Sequence, residues 1–223
     1  MRLIKVLALS VLVGTAVSGC SSLSLSHEGM NRENADHSSM TMETMDETAL
    51  ADHNMAMDLG PKDAEFDLRF IDGMILHHQG AVVMANSALQ NSSRDEVKQL
   101  AREIIAAQQV EIEQMQKWRS AWYPDAGTEP VMYHAQMGHS MAMTPQMQAE
   151  MAMSGDLGKA DAEFDLRFSN AMIPHHEGAV VMAEQVLEKS DRPELQQLAK
   201  EIIAAQQPEI DLMKQWRQAW YSK

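Results

Sequence analysis

The sequence predicts an all-α protein. The expected fold is a four-helix bundle assembled from two copies of one antiparallel helical hairpin, with flexible Met- and His-rich arms before and between them. Three observations predict it. Residues 63–123 align without gaps on residues 161–221 at an offset of 98, and 40 of the 61 positions are identical. Within each copy apolar residues recur every three to four positions, the helical period. A polar break then divides each copy into two helical runs of about 25–30 residues, each about 40 Å long, which a short loop folds back antiparallel. One hairpin alone leaves its apolar faces in water, so the two copies are expected to pack on each other.

Residues 1–19 read as an export leader: Arg2 and Lys5, then an apolar stretch from Val6 to Val17, too short to span a bilayer comfortably. Val17-Ser18-Gly19-Cys20 has the form of a lipobox, which would make Cys20 the lipidated first residue of the mature chain. Cleavage after Ser18, at Ala16-Val17-Ser18, is the plainer alternative. Ser21 and Ser22 lack the aspartate of inner-membrane retention, which points to a periplasmic protein anchored at the outer membrane.

Residues 20–62 are expected to be a flexible arm; within them, residues 27–57 hold six Met and three His. The first hairpin occupies residues 63–123. Phe70, Met74, His77, Ala81, Met84 and Ala88 form its inner stripe, and Glu65, Arg69, Asp72, Gln79, Asn86 and Gln90 the solvent side. Its second helix carries Leu100, Ile104, Gln108, Glu111, Met115, Trp118 and Trp122 inward. Ser93-x-x-Glu96, and Asp191-x-x-Glu194 in the other copy, have the form of capping boxes. Residues 124–160 form a second Met/His-rich arm, with a short helix near Pro145–Met153. The second hairpin, 161–223, places Pro174 and Pro208 where the first has Leu76 and Val110, so local kinks are expected there.

Composition narrows the chemistry. With 32 acidic and 18 basic residues the net charge is −14, and loss of Arg2 and Lys5 with the leader makes it −16. A nucleic-acid partner would need a basic face, so none is expected. One cysteine excludes an intrachain disulfide, a Cys-rich zinc site and an iron–sulfur cluster. A blue-copper centre also needs a Cys ligand. Di-iron bundle oxidases need Glu-x-x-His motifs, which the chain lacks. These exclusions point to a binding protein rather than an enzyme, with oxidation of Cu(I) at an open His/Met site as the remaining catalytic alternative.

Methionine carries the positive signal. Of 20, three lie in each hairpin, one is the initiator and 13 lie in the two arms, where core filling does not explain them. Thioether sulfur favours Cu(I), imidazole suits copper in both oxidation states, and silver is hard to separate from Cu(I). An M-x-M pair in extended chain puts both sulfurs on one side. The arm candidates are Met40, Met42, Met45, His53, Met55 and Met57, then His134, Met137, His139, Met141, Met143, Met151 and Met153. In the hairpins, Met74 converges with His77 and His78 at helical spacing, as Met172 does with His175 and His176. Glu111 with Met115, and Glu209 with Met213, face them from the second helices. Two readings stay open for these histidines: metal ligation, or a buried hydrogen bond with Glu111 as the partner. Adjacent helical positions diverge by about 100°, so His77 and His78 are not expected to chelate one ion together.

The pattern F-x-x-x-M-I-x-HH-x-G-A-x-x-M-A, followed by LA-x-EII-x-x-Q-x-x-EI-x-x-M-x-x-W, resembles the family of domain of unknown function 305, and within it the exported Met-rich members of the CopM kind. The resemblance covers both hairpins. It implies a ferritin-like helical bundle, copper binding through Met and His, and a role in copper resistance; the Met and His concentrated in the arms point to a copper sink or carrier. Carried over by position, it points to Met74, His77, His78, Met84 and Met115, and to Met172, His175, His176, Met182 and Met213. Pro174 keeps the family's MIPHH, from which Leu76 departs. The expected partners are metal ions, a membrane through lipid on Cys20, and a copper efflux or acceptor protein. A helical adaptor that docks to such a partner is the competing function.

Overall fold

The computed structural model describes residues 58–222, which are mostly helical. The first hairpin is α1 (Phe66–Asn91) and α2 (Asp95–Trp122). A two-stranded antiparallel ribbon follows, β1 (Val131–His134) and β2 (His139–Ala142), then the short helix α3 (Pro145–Ala152). The second hairpin is α4 (Phe164–Lys189) and α5 (Pro193–Tyr221). Among the described residues no helix is long and apolar enough to cross a membrane.

Local chemistry sets the helix ends. Asp63 and Asp161 accept hydrogen bonds from the Glu65 and Glu163 amides, both at 2.9 Å, and turn the chain into α1 and α4. The expected capping boxes do not form: neither α2 nor α5 has a side-chain cap. Ser92 and Ser190 instead accept from the amides of Arg94 and Arg192 at 3.1 and 3.2 Å, which shapes both interhelical turns. Helices α4 and α5 run on through Pro174 and Pro208. Thr144 caps α3 by accepting from the Met147 amide, with Pro145 in the first turn, where its missing N–H costs nothing.

The buried residues form two clusters at opposite ends of the long helices. One joins Phe66, Phe70 and Met74 of α1 to Ala179, Met182 and Val186 of α4 and Leu195, Leu198 and Ile202 of α5. The other joins Ala81, Met84 and Ala88 to Phe164, Phe168, Met172 and Ile210, with Val97, Leu100 and Ile104 of α2. The start of α1 therefore meets the end of α4, so the two helices run antiparallel and the duplicated hairpins sit as pseudo-symmetric mates. Their contacts repeat accordingly. Arg94 pairs with Asp165 and lies over the Trp220 ring, while Arg192 pairs with Asp67 and lies over Trp122. The tryptophans expected at the bundle ends stack in pairs, Trp118 on Trp122 and Trp216 on Trp220.

Between the hairpins the structure departs from the sequence reading. The short helix expected near Pro145–Met153 is present as α3, but residues 131–142 form a ribbon rather than an irregular arm, and both cover α1. Arg69 and Asp72, expected on the solvent side, are buried beneath them. Arg69 donates to the Leu59 and Pro61 carbonyls and to Ser140 Oγ, at 2.7, 2.8 and 2.8 Å. Asp72 accepts from Arg119 and from the Val131 amide. A buried charge is tolerated only when partnered this way.

Candidate metal centre

Where α1 and α4 cross, the paired histidines of both hairpins come together in the interior. His77, His78, His175 and His176 are all fully buried. The His77 and His175 rings face each other with centroids 3.7 Å apart and a 42° tilt. As adjacent helical positions must, the second member of each pair points elsewhere. His78 Nε2 lies 2.6 Å from Glu111 Oε2 and His176 Nε2 lies 2.7 Å from Glu209 Oε2. The hydrogen bond to Glu111, one of the two readings left open for these histidines, thus exists, and its duplicate with it.

These bonds decide which nitrogen is left. With Nε2–H donating to a carboxylate, Nδ1 of His78 and of His176 keeps its lone pair, and neither has a protein partner. His175 Nε2 donates to the Ala152 carbonyl at 3.3 Å, again leaving Nδ1 without a partner; neither nitrogen of His77 has one. Burial, and after it the neighbouring His175, His78 and His176, holds His77 well below the usual histidine range. Burial, then His176 and His78, brings His175 down to about 3. Both rings are therefore neutral at physiological pH, the form a metal ligand requires. Orphaned buried nitrogens are costly, and a cation is the partner that their chemistry fits. Carboxylate–histidine pairs of this type orient ligating imidazoles from behind. Among the described residues no three His, Cys, Asp or Glu side chains converge as a metal site. A site here would therefore draw further donors from thioethers.

Six thioethers are fully buried, Met74, Met115 and Met182 in one core cluster and Met84, Met172 and Met213 in the other. The arm candidates fare differently. Met40, Met42, Met45, His53, Met55, Met57 and Cys20 lie outside the described residues. Met143 and Met151 are buried, which overturns the expectation of solvated thioethers at these two positions. For Met151 the reason is a gap in α1. Gly73 leaves room for Met151, whose Sδ would lie 3.8 Å from an added Cβ, and an unbranched thioether fills such gaps well. Met137 is exposed, His139 is exposed, and His134, Met141 and Met153 are half-buried.

Sequence reasoning also missed the strap formed by α3. Its last carbonyls are free of helical bonds, and that of Ala152 rests on Gly80 and on His175. A Cβ at Gly80 would lie 1.6 Å from this oxygen, so the position needs glycine. The signal available in the sequence was Gly80 itself, following the histidine pair on the inner stripe.

The family model described as domain of unknown function (DUF305) matches residues 20–119 and 67–217. Solved structures similar to the chain include CopM in the Cu(II)-bound form (39% identity, TM-score 0.54, 70% of this chain and 97% of that one). CopM in the Cu(I)-bound form is 37% identical, with a TM-score of 0.53 over 70% and 98% of the two chains. A putative secreted DUF305 protein from Streptomyces coelicolor is 27% identical, with a TM-score of 0.55 over 70% and 93%. An uncharacterized protein of Acanthamoeba polyphaga mimivirus is 41% identical over 49 residues, a match spanning 22% of this chain and 32% of that protein's length.

Proposed function

The chain belongs to the DUF305 family, and on that footing we propose that it binds copper, as Cu(I) through Met and His and as Cu(II) through His, and acts as an extracytoplasmic copper sink or carrier in copper resistance. Ag(I) would share the thioether sites. The observation that carries the reading is the set of buried imidazoles whose Nδ1 atoms have no protein partner, with His77 and His175 among them held neutral by burial. Similarity to CopM, solved with copper in both oxidation states, supports it. His77, His78, His175 and His176, with Met74, Met84, Met115, Met172, Met182 and Met213, are the proposed interior donors, held in a ferritin-like bundle. The leader and Cys20 fit an exported, lipid-anchored protein that hands its ion to an efflux or acceptor protein.

X-ray absorption on the copper-loaded mature protein tests the assignment, because sulfur and nitrogen shells separate Met from His ligation. The expected result is mixed S/N coordination that loses nitrogen in a His77→Ala/His175→Ala variant. An unchanged spectrum would remove the interior histidines from the site, and failure to bind Cu(I), Cu(II) or Ag(I) would remove the function.

A further inference from the structure

The β1–β2 ribbon pairs its residues in a register with a consequence for chemistry. Met132 is opposite Met141, and His134 is opposite His139. Side chains alternate between the faces of a strand, so these four share one face, while Tyr133 and Ser140 share the other. The Tyr133/Ser140 face is the one held down. Ser140 Oγ accepts from Arg69, the Arg69 guanidinium lies 5.4 Å from the Tyr133 ring centre, and that ring closes on Gly60, where a Cβ would lie 2.4 Å away. Anchoring the ribbon accounts for that face and, with Met132 packed against the core, leaves His134, His139 and Met141 of the other face unexplained.

We propose that this face is a separate site for a soft monovalent cation, Cu(I) or Ag(I), with His134, His139, Met132 and Met141 as its donors. The inference rests on the copper-binding reading above and adds Met132, which spacing alone did not single out. Directly opposed side chains have Cβ atoms about 4.5–5.5 Å apart. That places two donors close enough for one ion to bridge them across the ribbon. Residues 130–143 contain no Asp or Glu, so the face offers only imidazole and thioether, a set that disfavours hard cations. Met132 packs at its inner edge against the core, and His139 is exposed at the outer edge.

The ring nitrogens are already sorted. His139 Nδ1–H donates to the Ser140 carbonyl at 2.9 Å, which leaves Nε2 with its lone pair. His134 Nδ1 accepts from the Met137 amide at 3.2 Å, and that amide also reaches the His134 carbonyl at 3.1 Å. The amide can therefore fall back on that carbonyl and release the Nδ1 lone pair of His134 to an ion. Unlike the fully buried histidines, this site needs no opening of the fold to fill.

The test is titration of the mature chain with Ag(I), followed by native mass spectrometry and histidine ring-nitrogen NMR. The wild type should show the His134 Nδ1 and His139 Nε2 signals moving with the early equivalents. His134→Gln/His139→Gln, and separately Met132→Leu/Met141→Leu, should each bind one ion fewer, while Met143→Leu binds as many as wild type. Circular dichroism and interior histidine signals unchanged from wild type would confirm that the variants are folded. Wild-type stoichiometry in both double variants, with ring signals at 134 and 139 unmoved, would overturn the ribbon site while leaving the interior sites standing. Absence of any bound Ag(I) in the wild type would overturn both.

Discussion

Each buried histidine with a carboxylate behind it is a small machine for holding a lone pair still. Glu111 and Glu209 are only partly covered, yet each fixes the tautomer of a fully buried ring. Replacing either with glutamine should weaken copper binding by about 10–100-fold, measured by competition against a chromophoric chelator. An unchanged affinity would mean that the bond is structural only. Acid gives a second prediction at this scale. His77 and His175 are held neutral in the fold, whereas in the unfolded chain they take up protons below about pH 6.5. Their contribution to stability is therefore complete above that pH and is lost as pH falls below it, for His175 down to about 3. The slope is about 1.4 kcal/mol per pH unit for each ring. Urea denaturation of the metal-free protein across that window should show the decline, and His77→Phe/His175→Phe should flatten it.

At the scale of elements, α3 and the ribbon decide how α1 is used. Glycine at 73 and 80 lets a strap lie close on the helix, and the strap brings the Ala152 carbonyl to His175. Gly80→Ala forces a Cβ into that oxygen, so α3 must shift. The expected cost is about 1–3 kcal/mol in a thermal melt, with faster hydrogen exchange confined to residues 145–153. Exchange that stays uniform would show that the strap does not depend on Gly80. The short helix expected near Pro145–Met153 is present as α3. The sequence pattern did not disclose the ribbon, because a two-stranded ribbon of this length is not stable alone and takes its stability from what it covers. Met143 and Met151 were misread for the same reason: spacing within a segment cannot show which surface the segment will meet.

Across the whole molecule, duplication makes the contacts come in pairs. Arg94–Asp165 and Arg192–Asp67 close the two ends, each arginine also covering a tryptophan. Both arginines are about two-fifths exposed, 40% and 39%, so solvent screens these pairs. Arg94→Ala/Arg192→Ala should cost about 1–2 kcal/mol in all, mostly from the guanidinium–indole contacts, read as a lowered midpoint in urea. A loss far above that range would mean that the ends carry more of the assembly than the core does.

The sequence by itself determined the helices, their pairing into hairpins, their duplication and the inner stripe on which the histidines lie. All of these follow from local periodicity and from repetition at an offset of 98. Those signals are carried by neighbours in the chain, so reading the chain recovers them. Tertiary structure alone decided that His77 meets His175, that Arg69 and Asp72 lie under a ribbon, and that Met132 and Met141 share a face with His134 and His139. Each of these joins residues whose proximity depends on how separately formed elements pack. That choice is made by burial and partnering in three dimensions, to which a one-dimensional period is blind.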